Sequence, residues 1–218
     1  MQKQTKIILI RHGQSLGNAN HTMLGHTDLD LSPLGYLQAE TTANYLKNEK
    51  IDEIYSSDLI RAYNTAVPHA KIRNLDIKIS EKLREARIGE WENLSLEQIF
   101  EKWGREVYFI DWHQNFGTFE FPGGESIKGA GERFYNAVLE ILTQNLGKTV
   151  LITAHAAVIR AFWGIISEIS WENIASTLDF PSNASYSIAY FDGEKIIPES
   201  YSNDSHLIDI GITKPYTK

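Results

Sequence analysis

The sequence contains no cysteine. Disulfides, thiolate metal sites and a thiol nucleophile are therefore excluded from its chemistry. It also lacks any apolar stretch near the ~20 residues that a membrane-spanning helix needs. The first apolar run, Ile7 to Ile10, stops at Arg11, too soon to be the core of a signal peptide. No membrane contact and a cytoplasmic location are the expectations. No long block of lysine and arginine is present, and the formal net charge is −7, which argues against a general nucleic-acid binder. The same charge repels anions, so an anionic ligand would have to be drawn in by locally clustered cations. No repeat, low-complexity tract or Pro/Gly/Ser linker divides the chain. One domain over residues 1–218 is expected, and 42% hydrophobic residues suffice for a real core.

What is there reads as alternating strands and helices. Ile7–Ile10 and "TVLIT" at 149–153 are continuous apolar runs of the kind buried on both faces of a parallel sheet. "LSPLGYLQAETTANYLKNE" offers Ser32 as N-cap and Pro33 at the first helical position. Tyr36, Ala39, Ala43 and Leu46 then fall on one face of that helix. After "PGGES", which turns the chain and offers Ser126 as a cap, comes a second stripe of Phe134, Ala137, Val138, Ile141 and Leu142, closed by Gly147. "VIRAFWGII" at 158–166 is apolar almost all round and predicts a buried helix. Two apolar runs flanking Asp192-Gly193 predict a hairpin. The sum is an α/β fold, a three-layer α/β/α sandwich on a mostly parallel sheet flanked by helices.

In such sheets ligands sit outside the carboxyl ends of the parallel strands. The two apolar strands both end in imidazole: Arg11-His12-Gly13 follows one, and Ala154-His155 the other. Further polar residues follow other elements: Gln14 and Asn18, Arg61 at a helix start, and Glu85 in "LREARIGEWE". Two arginines, two histidines and an acid suit a phosphate monoester. The arginine fork matches phosphate oxygens and keeps its charge. Gly13 allows close backbone approach, and a helix start after His155 would offer amides to the same anion.

These segments, "RHGQS", "SSDLIRAYNTA", "EARIGEWE", "PGGES" and "AHAAVIR", resemble in order the motifs of the histidine phosphatase superfamily, which includes phosphoglycerate mutases and many small-molecule phosphatases. The resemblance implies a phosphoglycerate mutase-like fold. It makes His12 the nucleophile that becomes a phosphohistidine, with Arg11, Arg61 and His155 holding the transferred oxygens. By the same resemblance Glu85 is the proton donor and later the base, Asn18 and Gln14 contact phosphate, and Gly25 and His26 line the substrate pocket. It calls for no metal and no cofactor. His26 and Asp28 alone do not make a metal site, and His21, His69, His113 and His206 read as surface residues.

Two departures matter. The family commonly has "HGG" or "HGN" where His155-Ala156-Ala157 stands, so contact through the Ala156 amide requires a turn without positive φ. The mutases typically carry "ERHYG" where this chain has Glu85-Ala86-Arg87-Ile88-Gly89. "ARIGEWE" is similar to the phosphatase branch, so the expected activity is hydrolysis of a small-molecule phosphate monoester. The alternatives are a phosphoglycerate mutase, or a catalytically silent phosphate-binding regulatory protein. The aromatic segment 99–124 should be the lid. Its rings could stack on a substrate, pack on one another or form a subunit contact, so a homodimer is compatible with it.

Overall fold

Ile7 to Ile10 lie at the centre of a six-stranded sheet, each at most 1% exposed. The computed structural model describes residues 4–214. In chain order it runs β1 (Thr5–Arg11), α1 (Leu16–Ala19), β2 (Thr22–Met23), α2 (Pro33–Tyr45), β3 (Glu53–Ser56), α3 (Ile60–Arg73) and β4 (Ile77–Ile79). There follow β5 (Leu94–Ser95), α4 (Leu96–Trp103), a π-helical stretch at Val107–Gln114, α5 (Ile127–Gln144), β6 (Thr149–Ala154), α6 (Ala156–Ile166) and α7 (Ile174–Thr177). β7 (Tyr186–Phe191) and β8 (Ile196–Asn203) form the terminal hairpin.

The sheet order is β4-β3-β6-β1-β7-β8. The first four strands are parallel, whereas β7 runs antiparallel to β1 and β8 antiparallel to β7. Side chains alternate across β1. Ile7 and Leu9 join the core built with α5 and α6, and Ile8 and Ile10 join the one built with Ala66 and Ala70 of α3. The result is the three-layer sandwich with a mostly parallel sheet. Among the described residues no helix is long and apolar enough to cross a membrane.

Local signals in the sequence explain the helix starts. Ser32 accepts from the Gly35 amide with Pro33 in the first turn, and Ser126 accepts from the Gly129 amide at the start of α5. The stripe Phe134, Ala137, Val138, Ile141 and Leu142 is buried as expected. α5 stops at Gln144, and Gly147, at φ 74°, completes the turn into β6. The hairpin turns at Asp192, whose Oδ1 accepts from the Glu194 and Lys195 amides, beside Gly193 at φ 107°.

Two expectations need correction. Tyr36 is 42% exposed rather than part of the inner face of α2. That face instead buries Gln38 and Thr42, because it meets polar backbone that needs hydrogen bonds more than apolar cover. His69 is fully buried in α3, with neither ring nitrogen hydrogen-bonded. Of the aromatic residues in 99–124, Tyr108, Trp112, Phe116, Phe119 and Phe121 are buried and pack around Trp91 and Phe180.

Candidate active site

The register of β1 and β6 opposes Arg11 to Ala154, so the next residues, His12 and His155, leave the sheet side by side. The His12 amide donates to the Ala154 carbonyl at 2.9 Å. The two ring centroids are 5.3 Å apart with planes at 60°. His12 Nδ1 lies 2.7 Å from the Gly13 carbonyl. A carbonyl only accepts, so Nδ1 carries the proton and Nε2 keeps its lone pair. Burial, followed by the charges of Arg61 and Arg11, holds the His12 pKa well below the ordinary histidine value. His155 is depressed in the same way, first by burial and then by Arg61 and His12.

The loop after β1 is locked by close backbone packing. A Cβ on Gly13 would sit 2.4 Å from the Gly35 carbonyl oxygen, and one on Gly35 would sit 2.0 Å from that of Gln14. These two glycines let α2 lie flush against the loop. The Gly13 amide donates to Thr65 Oγ1 at 3.0 Å, and the Gln14 amide to Gln38 Oε1 at 2.8 Å. The Gln14 side-chain oxygen accepts from Ser32 Oγ at 2.7 Å. Ser15 and Asn18 form a reciprocal cap on α1.

Arg11 and Arg61 are 2% and 1% exposed. Arg61 donates to the carbonyls of Gly25 and Thr27 at 2.7 and 2.9 Å, and Arg11 to that of Pro181 at 2.7 Å. Neither makes an ion pair with a carboxylate among the described residues, and Arg11 Nε has no partner. Burial pushes both guanidiniums down to about 10, against the opposing pull of Glu85, which leaves them charged at neutral pH. Two buried cations satisfied only by carbonyls form a cradle for an oxyanion.

Glu85 sits at the mouth of this cradle. Its carboxylate accepts from the Ala86, Ala157 and Val158 amides at 3.0, 3.0 and 3.2 Å. This corrects one expectation. Two amides at the start of α6 serve Glu85 rather than a bound anion, and Ala156, which lines the cavity, is the remaining one. His155 is extended at φ −129°, and neither Ala156 nor Ala157 needs positive φ. The Glu85 carbonyl is gripped by His26 Nε2 at 2.8 Å and Arg133 Nη2 at 3.0 Å. His26 therefore supports Glu85 from behind and is not in the cavity wall. Asp28 caps α3 through the Ile60 amide at 2.7 Å, and Arg84 pairs with Asp58.

Arg11, His12, Gln14, Asn18, Gly25, Arg61, Glu85 and Ala156 meet around one cavity of about 340 Å³. His155 lies just behind its wall, fully buried. Tyr108, Trp112, Phe121 and Phe180 form an aromatic side of the same cavity. Asn183 was missed in the sequence. It is 1% exposed, and its Nδ2 donates to the His12 carbonyl and to Asn18 Oδ1, both at 3.1 Å. Asn18 Oδ1 is thereby used twice, which leaves Asn18 Nδ2 as a donor toward the cavity. Arg133 and Asn183 had no local signature, because each reaches the site only through tertiary pairing.

A free imidazole nitrogen, two buried guanidiniums and a held carboxylate around one cavity can perform nucleophilic phosphoryl transfer. The sequence profile of the histidine phosphatase superfamily (branch 1) matches residues 7–204. The chain is 30% identical to phosphoserine phosphatase 1 of Hydrogenobacter thermophilus, covering 93% of this chain and 94% of that one. It is 32% identical to a metal-independent phosphoserine phosphatase of Arabidopsis thaliana, covering 95% and 85%. A 2,3-bisphosphoglycerate-dependent phosphoglycerate mutase of Methanococcus vannielii is 27% identical, covering 81% and 86%. Among solved structures, mycobacterial glucosyl-3-phosphoglycerate phosphatase superposes with a TM-score of 0.83 at 26% identity, covering 92% and 99%. On its motifs, its fold and these matches, the chain belongs to the histidine phosphatase superfamily, branch 1.

Proposed function

We infer that the chain is a phosphatase that hydrolyses small-molecule phosphate monoesters through a phosphohistidine on His12. The observation that carries this reading is the pair of buried imidazoles 5.3 Å apart, close to two buried arginines that lack acidic partners among the described residues. His12 Nε2 attacks phosphorus in line, the P–O bond to the leaving alcohol breaks, and Glu85 protonates the departing oxygen. Water then loses its proton to Glu85 and attacks the phosphohistidine, breaking the P–N bond and releasing phosphate. Arg11, Arg61 and Asn18 hold the equatorial oxygens and stabilise their charge in both steps, and His155 reaches the same oxygens by a small movement from its buried place beside His12. Gln14 and Gly25 shape the cradle, and the amide of Ala156 is available to the same oxygens. The segment 99–124 acts as the lid, a reading supported by Tyr108, Trp112 and Phe121 on the cavity side.

The names of its relatives make phosphoserine the first substrate to try. Incubation with phosphoserine followed by a base quench should trap an acid-labile phosphate on the wild type and none on His12→Ala, which should also lose turnover. A His12→Ala variant that still turns over at the wild-type rate would refute the reading. Glu85→Gln should lose roughly 10²–10⁴-fold on phosphoserine, and much less on p-nitrophenyl phosphate, whose leaving oxygen needs little protonation.

The mutase reading has the weaker support. The chain has Ala156-Ala157 and "ARIGEWE" where mutases differ, and a mutase must keep water from its phosphoenzyme. Isomerisation of 3-phosphoglycerate without stoichiometric phosphate release would favour it. A silent phosphate-binding protein would release no phosphate from any of a panel of monoesters.

A further inference from the structure

We propose that Lys214 determines substrate specificity by receiving a second anionic group, such as a carboxylate, on the leaving group of the monoester. The proposal rests on the phosphatase reading above and goes beyond it. Lys214 belongs to a short strap, residues 211–214, that is held against α2 by Gln38 and reaches the rim of the catalytic cavity. Both Thr213 and Lys214 line that cavity.

Two buried amide side chains fix the register of the strap. Gln38 Nε2 donates to the Gly211 carbonyl at 3.0 Å and to Thr213 Oγ1 at 3.1 Å. The Asn183 backbone N–H donates to the Thr213 carbonyl at 2.8 Å, and Thr213 Oγ1 donates to the Asn183 side-chain Oδ1 at 3.0 Å. The other ends of the same two side chains hold the nucleophile loop. Gln38 Oε1 takes the Gln14 amide, and Asn183 Nδ2 reaches the His12 carbonyl and Asn18. The strap is thus bolted to the groups that position the nucleophile, and Lys214 follows its last bolt directly.

The charge around the cavity then decides what Lys214 is for. The charged side chains among the described wall residues are Arg11, Arg61, Glu85 and Lys214. Arg11 and Arg61 are buried at the phosphate end, and the Glu85 carboxylate is engaged by three amides. Lys214 is exposed and has no ion-pair partner among the described residues. A volume of about 340 Å³ holds much more than a phosphate group, and the aromatic side of Tyr108 and Trp112 offers no charge to what fills the rest. A cation at the rim, on a protein of net charge −7, favours a leaving group that is itself anionic.

The test compares 3-phosphoglycerate with glycerol 3-phosphate, two monoesters of similar size that differ by a carboxylate in place of a hydroxymethyl group. The wild type should prefer 3-phosphoglycerate, with phosphate release as the readout. In Lys214→Met the ratio of kcat/KM for the two substrates should fall roughly fivefold, the size expected of one partly exposed ion pair, and the change should lie in KM. Lys214→Arg should restore the ratio. An unaltered ratio in Lys214→Met, or equal losses on both substrates, would overturn the proposal. Failure of the phosphatase reading shows itself differently, as no phosphate release from either substrate by the wild type.

Discussion

Buried histidine appears three times in this molecule, in two different uses. Burial, and then nearby arginine charge, hold His12 and His155 well below the ordinary histidine pKa in the candidate site. His69 is buried in α3 with no hydrogen bond to either nitrogen, and its pKa is pushed down to about 3, by burial first and then by Arg73 and His206. An unfolded histidine binds a proton near pH 6.5, whereas the folded His69 does not until about 3. Folding therefore loses stability as the pH drops through that window, by about 1.4 kcal/mol per pH unit for each such residue. His69→Leu should flatten the decline of urea-derived unfolding free energy between pH 6 and pH 4 by about that slope. An unchanged slope would mean that His69 is protonated in the native protein. The histidines and arginines of the candidate site were legible because each ends a buried apolar run or opens a helix. His69 was not, since a polar residue on the inner face of a helix carries no local mark. Asn183 and Lys214 were equally silent, being meaningful only once β7 is known to lie beside β1.

Between elements, α2 and the loop after β1 meet backbone to backbone. Gly35 faces the backbone of Gln14 so closely that any side chain must push one of them away. Gly35→Ala should therefore cost activity far beyond its effect on helix propensity, which by itself is favourable. A shift of about 1 Å in the nucleophile loop is worth on the order of 10²-fold in kcat. Steady-state kinetics beside a thermal melt would check this, and a fully active Gly35→Ala would show that the loop is free to adjust. The caps at Ser32 and Ser126, the α5 stripe and the Asp192-Gly193 hairpin could be read from sequence because each is a local pattern. The π-helical stretch at 107–114 could not. Its conformation is set by Tyr108 and Trp112 packing into the cluster of Trp91, Phe119, Phe121 and Phe180. Arg160 of α6 adds a clamp. It lies 4.4 and 4.2 Å from the rings of Phe116 and Phe180 and donates to the Leu178 and Ala175 carbonyls.

Across the whole molecule, the sandwich follows from strands that are apolar on both faces, and that much was visible in two short runs of sequence. Strand order was not, because adjacency of β1 to both β6 and β7 is a tertiary fact. Pairing across the sheet brings Arg11 and Arg61 to one cavity, so ligand binding there should be felt globally. Vanadate at about 100 times its dissociation constant should add about 2.7 kcal/mol to native stability. For a chain of this size that corresponds to a rise in Tm of roughly 5–10 °C. Arg61→Met should abolish most of the rise in a scanning melt. An equal rise in that variant would detach Arg61 from the anion.

The position of β1 also governs when the protein can exist during its synthesis. The strand that leads into His12 leaves the ribosome well before both of its neighbours, at 149–154 and 186–191. A nascent chain has no sheet partner for β1 until residues 149–154 have been made, and must keep that sticky aliphatic segment from other chains for the duration.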